Sequence, residues 1–274
     1  MDTAKFIQTD QARLAYVESG DGEAVLFVHG AFSDHRFWTH QLSDLSSSHR
    51  CIAVDQRYCG QSWVSPVDNY SLITHASDLA AFVDQVFTRP VHVVASSYGS
   101  AVALAWAAAR PRLCASLFLN EPALPSLVTR AEDLVTLKRA RADLAPVVEA
   151  LTAGDAIRAV ELFCDWTSFP GGFKTLPPEV QAMFAENART ITPALTAPQP
   201  TVQPKDLASI NVPVTFTAGD RTTPFFSVQV HAAVRAIRHA RLVQIPNSHH
   251  AAPFENPVAF NRALRDHLRA AAEA

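Results

Sequence analysis

Residues 91–106 contain the feature that most constrains the fold: a β-branched run enters a turn of small residues, and an alanine-rich segment follows without a linker. The turn reads Ala95-Ser96-Ser97-Tyr98-Gly99. A serine between a strand and a helix needs small residues two positions before and after it, because such a turn is sharp and strained. Ala95 and Gly99 meet this requirement around Ser97. The pattern predicts a nucleophilic serine. The first amides of the helix would stabilise the oxyanion that develops on the substrate when the serine attacks it.

Chain length and composition are those of an ordinary globular protein. The chain has 274 residues, of which 48% are hydrophobic and 18% are charged, and its formal net charge is −3. This near-neutral balance argues against nucleic acid or an anionic membrane surface as the main partner. Residues 1–10 form no apolar stretch, and no segment reaches about 18 apolar residues. We therefore expect neither a signal peptide nor a membrane span.

Cysteine usage predicts a reduced, cytoplasmic protein. The four cysteines have no CxxC or metal-ligand spacing; they are Cys51, Cys59, Cys114 and Cys164. Cys51 and Cys114 lie in apolar runs, so we expect both thiols to be buried in strands. The sequence also lacks a glycine-rich phosphate loop and a dinucleotide fingerprint. We therefore expect no cofactor and no metal.

Buried strands and helical segments alternate along both ends of the chain. Strand-like runs cover residues 6–9, 13–17, 24–28, 51–54, 113–119, 212–217 and 241–245, in addition to the strand before Ser97. Apolar residues recur at helical spacing in residues 35–45, 71–86 and 257–271, and a helix is expected from the turn to residue 110. This alternation predicts an α/β fold with a mostly parallel central sheet flanked by helices.

The alternation stops between residues 125 and 208. This range has helical segments at 132–141, 144–151, 155–163 and 178–188, and no convincing strand. Both of its ends return to the same predicted sheet. We therefore expect one core domain, formed by residues 1–124 and 209–274, with a helical cap inserted at residues 125–208. A separate all-α domain is the alternative.

A glycine after a buried strand provides the other half of a predicted oxyanion site. In His29-Gly30-Ala31-Phe32, Gly30 lets the backbone turn over the serine. The amide of Ala31, or alternatively of Phe32, would pair with the amide of Tyr98 as the oxyanion hole. His29 itself is better interpreted as structural than as catalytic.

The general base is expected in the loop of residues 245–257. A strand ends there, small residues follow, and a helix begins after Glu255-Asn256-Pro257. Such a loop holds an imidazole at the carboxyl edge of the sheet, where open α/β folds bind ligands. His249 and His250 are neighbours in this loop and must point in different directions. Residue type alone leaves the choice between them open.

These motifs together resemble the α/β-hydrolase superfamily, and specifically its cap-bearing, esterase- and lactonase-like members. Residues 29–30 match the oxyanion loop, residues 95–99 match the nucleophile turn, and residues 245–257 match the Ile-Pro-x-x-x-His…Glu-Asn-Pro ending. Asp55 to Ser62 look like the family's Asp-x-Arg-x-x-Gly-x-Ser turn. The resemblance covers nearly the whole chain and implies that His250, the later histidine, is the base.

The sequence departs from this family at the acid. The usual site is a Gly-x-x-Asp loop, which reads Gly219-Asp220-Arg221-Thr222 here, so Thr222 stands where the acid is expected. Some members take the acid from the end of the strand after the nucleophile's helix, where this chain has Glu121. We prefer Glu121 and keep Asp220 as the alternative. The alternative to a catalytic role is a structural one. Either residue would then be a loop carboxylate that caps a helix or pairs with an arginine.

The expected activity is hydrolysis of a small, mostly apolar carboxylic ester or lactone through an acyl-enzyme. Phe32, Trp38 and Trp166 are candidates for lining the substrate pocket. A small molecule is the expected partner, and a homodimer is left open. Carbon–carbon bond hydrolysis, a lyase or cyclase reaction with the same three residues, and a non-catalytic ligand-binding or signalling protein are the alternatives.

Overall fold

An eight-stranded sheet forms the centre of the fold in a computed structural model that describes residues 4–9, 12–64, 66–197 and 202–273. Its strand order is β1-β2-β4-β3-β5-β6-β7-β8. The first two strands, β1 (Lys5–Gln8) and β2 (Arg13–Ser19), pair antiparallel, and β2 is also antiparallel to β4. The remaining pairs are parallel; these strands are β3 (Glu23–Val28), β4 (His49–Val54), β5 (Val91–Ser96), β6 (Cys114–Asn120), β7 (Val214–Gly219) and β8 (Arg241–Ile245). The predicted mostly parallel sheet is confirmed.

Helices cover both faces of the sheet. On one face α2 (Leu72–Val86), α3 (Tyr98–Ala109) and α9 (Pro224–Ala236) bury a core that includes Phe82, Trp106 and Val230. On the other face α1 (Thr39–Leu45) and α11 (Pro257–Ala272) bury Trp38 and Phe260, with the short helix α10 (Ala252–Glu255) beside them. The central strands are apolar throughout because both of their faces are covered. No helix in the described residues is long and apolar enough to cross a membrane.

Five α-helices lie in the described residues between β6 and β7, in the range where the sequence predicts helices and no strand. They are α4 (Ala131–Ala142), α5 (Ala145–Thr152), α6 (Ala156–Thr167), α7 (Pro178–Glu186) and α8 (Ile191–Thr196). The described part of this range contains no strand. Val147, Val160 and Ile191 from these helices form a small apolar core with Phe32. Residues 198–201 of the predicted insertion lie outside the described residues, and the division into a core and a cap domain stays a prediction.

The thiols of Cys51 and Cys114 are buried in β4 and β6, as the sequence predicts, and all four cysteines are free. Burial raises the pKa of both thiols to about 12. Buried thiols with raised pKa values react slowly as nucleophiles. Cys51 and Cys114 therefore pack within the sheet, and we do not expect them to act as nucleophiles.

A buried histidine makes stability depend on pH. His267 of α11 contacts the hydroxyls of Thr215 and Ser116 at 2.9 Å each, and burial lowers its pKa to about 4. The unfolded pKa is about 6.5, so the unfolded state binds more protons between these values. The free energy of unfolding is therefore unaffected by this group above about pH 6.5 and decreases as pH falls towards 4. Between pH 6.5 and 5, His267 lowers it by about 1–2 kcal/mol.

Substitution of this histidine tests that dependence. His267→Gln keeps a hydrogen-bonding side chain but does not titrate. Urea unfolding at pH 7.5 and pH 5 is expected to show a loss of unfolding free energy about 1–2 kcal/mol larger in the wild type than in His267→Gln. Equal losses in the two proteins would contradict the assignment.

Candidate active site

Ser97 occupies the strained turn between β5 and α3. Its backbone has φ 55° and ψ −120°, a conformation that non-glycine residues rarely adopt. The turn is held by Ser97 N, which donates to the carbonyl of Asn120 at 2.8 Å. Gly99 is required because a Cβ there would lie 2.2 Å from the carbonyl oxygen of His29. The strand–turn–helix geometry that the sequence predicts around Ser97 is present.

His250 and Glu121 form a hydrogen-bonded pair. His250 Nδ1 lies 2.6 Å from Glu121 Oε2. Glu121 follows β6 directly, is fully buried and has a positive φ of 39°. Its Oε1 accepts from Gly219 N at 2.9 Å and its Oε2 accepts from the Thr222 hydroxyl at 2.8 Å. The carboxylate is therefore fixed by two donors from the segment at the end of β7, in addition to the imidazole.

Asp220 lies apart from this pair. Its side chain is exposed, and Oδ1 accepts from Ser248 N at 3.2 Å. The backbone N–H groups of Asn247 and Ser248 lower the pKa of this carboxyl. Thr222, at the position where the family pattern has its acid, instead donates to Glu121. Of the two candidate acids, the structure brings only Glu121 to His250.

The two other histidines near the site are engaged elsewhere. His249 turns away from its neighbour, and its Nδ1 lies 3.0 Å from Glu255 Oε1. His29 Nε2 accepts from Gln56 N, so its Nδ1 carries the proton that it donates to Gly30 O at 2.7 Å. Burial lowers the pKa of His29. His29 therefore braces the loop after β3, the structural role expected from the sequence.

The predicted oxyanion donors lie around Ser97. A Cβ on Gly30 would come within 3.2 Å of Ser97 Cβ, so the loop after β3 passes close to the serine. Ala31 and Tyr98 line the same cavity as Ser97. In the described part of the chain, no hydrogen bond has the Ala31 or the Tyr98 backbone N–H as its donor. Both amides remain available for a ligand oxygen.

A cavity of about 630 Å³ contains Ser97 and His250. Its wall is mostly apolar and comes both from the sheet side and from the helices between β6 and β7; the aromatic residues in it include Phe32, Phe163, Trp166, Phe225 and Phe254. The Phe32 and Phe163 rings meet edge to face at 5.1 Å. The charged side chains in the described lining are Arg141 and Glu255. A concave, mostly apolar site of this size suits a small, mostly apolar ligand.

Comparison with known proteins identifies the family. A model of the alpha/beta hydrolase family matches residues 25–263. The chain belongs to the alpha/beta hydrolase family. Among curated relatives, a haloalkane dehalogenase of Mesorhizobium japonicum is 36% identical over 109 residues, which are 39% of this chain and 35% of the dehalogenase. The chain thus matches about a third of that relative's length.

Solved structures of hydrolases share the fold over the whole chain. An esterase of Thermogutta terrifontis is 24% identical with a TM-score of 0.75, covering 98% of this chain and 99% of the esterase. Est816, described as an N-acyl homoserine lactone degrading enzyme, is 19% identical with a TM-score of 0.76, covering 96% of this chain and 99% of Est816. At these identities the likeness shows the fold.

Trp38, which the sequence analysis expects in the substrate pocket, lies outside the cavity. Trp38 is fully buried and packs against Phe27, Phe37 and Phe260 at centroid distances of 5.4, 4.9 and 6.3 Å. It is outside the cavity, and the adjacent Phe37 lines it instead. The prediction for Trp38 is wrong because the turn of residues 35–38 directs the larger ring into the core beneath the sheet. Phe32 and Trp166 line the cavity, and their contact with a substrate stays a prediction.

Sequence reasoning missed two residues that contact His250, the candidate base. Phe226 stacks on the His250 ring with centroids 3.7 Å apart and planes 16° apart. Asn120 is fully buried; its Nδ2 donates to the His250 carbonyl at 3.0 Å and to the Ser96 hydroxyl at 3.1 Å. Its Oδ1 accepts from the Thr217 hydroxyl at 3.0 Å. The only sequence signal for Asn120 is its position directly before Glu121.

Asn120 therefore positions the nucleophile turn relative to the base loop. Asn120→Ala removes three buried hydrogen bonds and is expected to lower the unfolding free energy by about 2–4 kcal/mol. Urea unfolding measures that loss, with the exposed Asn211→Ala as the control expected to change stability by less than about 0.5 kcal/mol. A loss below about 1 kcal/mol in Asn120→Ala would contradict this role.

One group in the described residues has the spacing of metal ligands: Asp34, His35 and Asp55. Asp34 pairs with Arg36 and accepts from Asn187, and His35 Nδ1 lies 2.7 Å from Asp55 Oδ1. These contacts occupy the ligand atoms and brace the loops after β3 and β4. They give the cluster a structural role.

Proposed function

We propose that this alpha/beta hydrolase is a serine hydrolase that cleaves a small, mostly apolar carboxylic ester or lactone through an acyl-enzyme. The observation that carries the proposal is that His250, which is hydrogen-bonded to the buried Glu121, lines the same cavity as Ser97. A nucleophile, a base and an orienting acid on three different strand ends are the parts that acyl transfer needs.

In the proposed mechanism, Ser97 Oγ attacks the carbonyl carbon and its proton passes to His250 Nε2. Nδ1 stays paired with Glu121, which fixes the tautomer and stabilises the imidazolium. The Ala31 and Tyr98 amides hold the oxyanion. The tetrahedral intermediate collapses, and His250 returns the proton to the leaving alcohol. Water, activated by the same base, then releases the acid from Ser97.

The strained backbone supports this assignment. Five non-glycine residues in the described chain have positive φ, and three of them, Phe32, Ser97 and Glu121, belong to the site. Strain costs free energy and persists where the surroundings enforce it, typically where groups are held ready for a reaction. Preorganised groups lower the cost of reaching the transition state.

The lining of the cavity favours an ester or lactone over the charged substrates of carbon–carbon bond hydrolysis. Four cationic side chains are candidates for binding such a charge: Lys138, Arg139, Arg141 and Arg158. Of these, Arg141 alone lines the cavity, and it is exposed at its rim. Arg158 pairs with Glu161 on the surface. The esterase and the lactone-degrading enzyme that share the fold point in the same direction.

We further propose that residues 125–208 act as a cap over the site, that the protein is cytoplasmic, and that a small molecule is its partner. Cap residues such as Phe163 and Trp166 form one wall of the cavity. A wall of this kind excludes water and limits substrate size. Whether the chain pairs with a second copy is left to measurement.

A panel of substrates tests the proposal. Release of 4-nitrophenol from its acetate, butyrate and octanoate esters, and pH-stat titration of simple lactones, should show turnover well above that of Ser97→Ala. If the folded protein binds these compounds tightly but hydrolyses none of them, the result would favour the non-catalytic alternative.

A further inference from the structure

A phenylalanine ring covers one face of the imidazole of His250. The centroids of the Phe226 and His250 rings are 3.7 Å apart, and their planes differ by 16°. Carbon atoms in van der Waals contact are about 3.5–4.0 Å apart, so rings whose centroids are this close lie almost directly over each other. Phe226 is therefore stacked face to face on His250 with little lateral offset.

This arrangement suits a charged imidazole better than a neutral one. Neutral aromatic rings carry negative charge on their faces and prefer an offset or edge-to-face arrangement, with centroids about 4.5–7 Å apart. The negative face of a phenylalanine ring instead attracts a cation that lies within about 6 Å of its centroid. The stack therefore matches the imidazolium that forms when His250 takes a proton in the proposed mechanism.

Neighbouring aromatic residues hold the Phe226 ring in this place. Phe226 is 1% exposed. The Phe225 ring meets it edge to face, with centroids 5.1 Å apart and planes at 88°. The Trp166 ring meets it at 6.1 Å, with planes at 62°. The stack is thus formed before the reaction, and an interaction that is already in place costs no reorganisation when charge develops.

The segment of residues 219–226 contacts both members of the acid–base pair. Gly219 N and the Thr222 hydroxyl donate to Glu121, and α9 begins at Pro224, so that Phe226 follows within its first turn. Glu121 meets the edge of the imidazole at Nδ1, whereas Phe226 covers a face. Both contacts leave the in-plane lone pair of Nε2 free, which is the site that takes the proton of the serine in the proposed mechanism.

We propose that Phe226 is a positioning residue of this hydrolase and that its π face stabilises the imidazolium of His250 in the transition state. The stabilisation appears only when His250 becomes charged, so it lowers the barriers of acylation and deacylation and does not strengthen substrate binding. It supplements the carboxylate of Glu121 without placing a second charge beside the base. This inference rests on the proposed function and adds a residue to its mechanism.

Fluorinated phenylalanines at position 226 test the proposal, because fluorine withdraws negative charge from the ring face and changes the ring volume little. Nonsense suppression introduces 4-fluoro-, 3,5-difluoro- and 3,4,5-trifluorophenylalanine. The rate constants kcat and KM for 4-nitrophenyl acetate are measured where kcat no longer changes with pH. The same analogues at Phe260, a fully buried ring outside the cavity, are the matched control. Phe226→Leu removes the ring altogether.

We expect kcat to fall with each added fluorine at position 226 and to reach about a tenth of the wild-type value with three, while KM changes less than about twofold. Phe226→Leu should lower kcat about tenfold, and the analogues at Phe260 should leave it within about twofold. The fluorinated rings keep the test valid if Phe226→Leu does not fold.

Three results would overturn this inference alone: the same kcat for every ring at position 226, a trend in KM at constant kcat, or an equal trend in kcat at Phe260. Wild-type turnover that does not exceed that of Ser97→Ala would overturn the proposed function together with it.

Discussion

Ser97→Ala is expected to lower kcat for ester hydrolysis by about three orders of magnitude or more. The alanine removes the hydroxyl that forms the acyl-enzyme in the proposed mechanism, and it fits the same backbone because serine already has a Cβ at this position. The residual rate comes from the oxyanion donors and from substrate binding. Release of 4-nitrophenol under saturating substrate measures the effect, with thermal unfolding to show that the variant is folded.

Ser227→Ala is the matched control for this variant. Ser227 lies on α9 and its hydroxyl contacts His231 at the surface; it does not line the cavity. Its substitution is expected to change kcat less than about twofold. Retention of more than a tenth of the wild-type kcat by Ser97→Ala would mean that another group performs the attack.

Glu121→Gln should lower kcat by about three to four orders of magnitude, close to the effect of removing the serine. The substituted amide keeps one oxygen acceptor and has N–H groups in place of the other, so it cannot accept from Gly219, Thr222 and His250 together as the carboxylate does. His250 would then lose its fixed tautomer and the charge that stabilises its protonated form. Asp220→Asn, by contrast, changes an exposed carboxyl that accepts from Ser248 N and should lower kcat less than about fivefold.

These two isosteric changes form a matched pair for the acid. Both proteins are measured at one pH with the same ester, and their unfolding curves are compared with that of the wild type. If Asp220→Asn is the variant that loses activity and Glu121→Gln keeps it, the pairing of Glu121 with His250 has no catalytic role. The loop of residues 219–222 would then have to rearrange when substrate binds.

The sequence predicts the nucleophile turn and the sheet well because both are local. Small residues around Ser97 and a continuous apolar run in each central strand follow from steric and burial rules that act over a few residues. The resemblance carried the choice of His250 over His249. The contact between His250 and Glu121 in the structure agrees with that choice.

Contacts between distant segments were beyond sequence reasoning. Trp38 and Phe37 are adjacent aromatics, and only the packing of the core decides that Phe37 faces the cavity. Phe226 lies in a helix whose face towards the site depends on how α9 packs against the sheet. Asn120 joins three strand ends through its side chain, and those partners are up to 130 residues away along the chain.

Labelling with a fluorophosphonate, followed by peptide mass spectrometry, tests the central claim most directly. Such a reagent reacts with a serine whose proton an adjacent base removes, so a single adduct on Ser97 is predicted. The adduct should be absent from Ser97→Ala and strongly reduced in His250→Ala and Glu121→Gln. No adduct on folded wild-type protein, or one that persists without His250, would contradict an activated serine in this site.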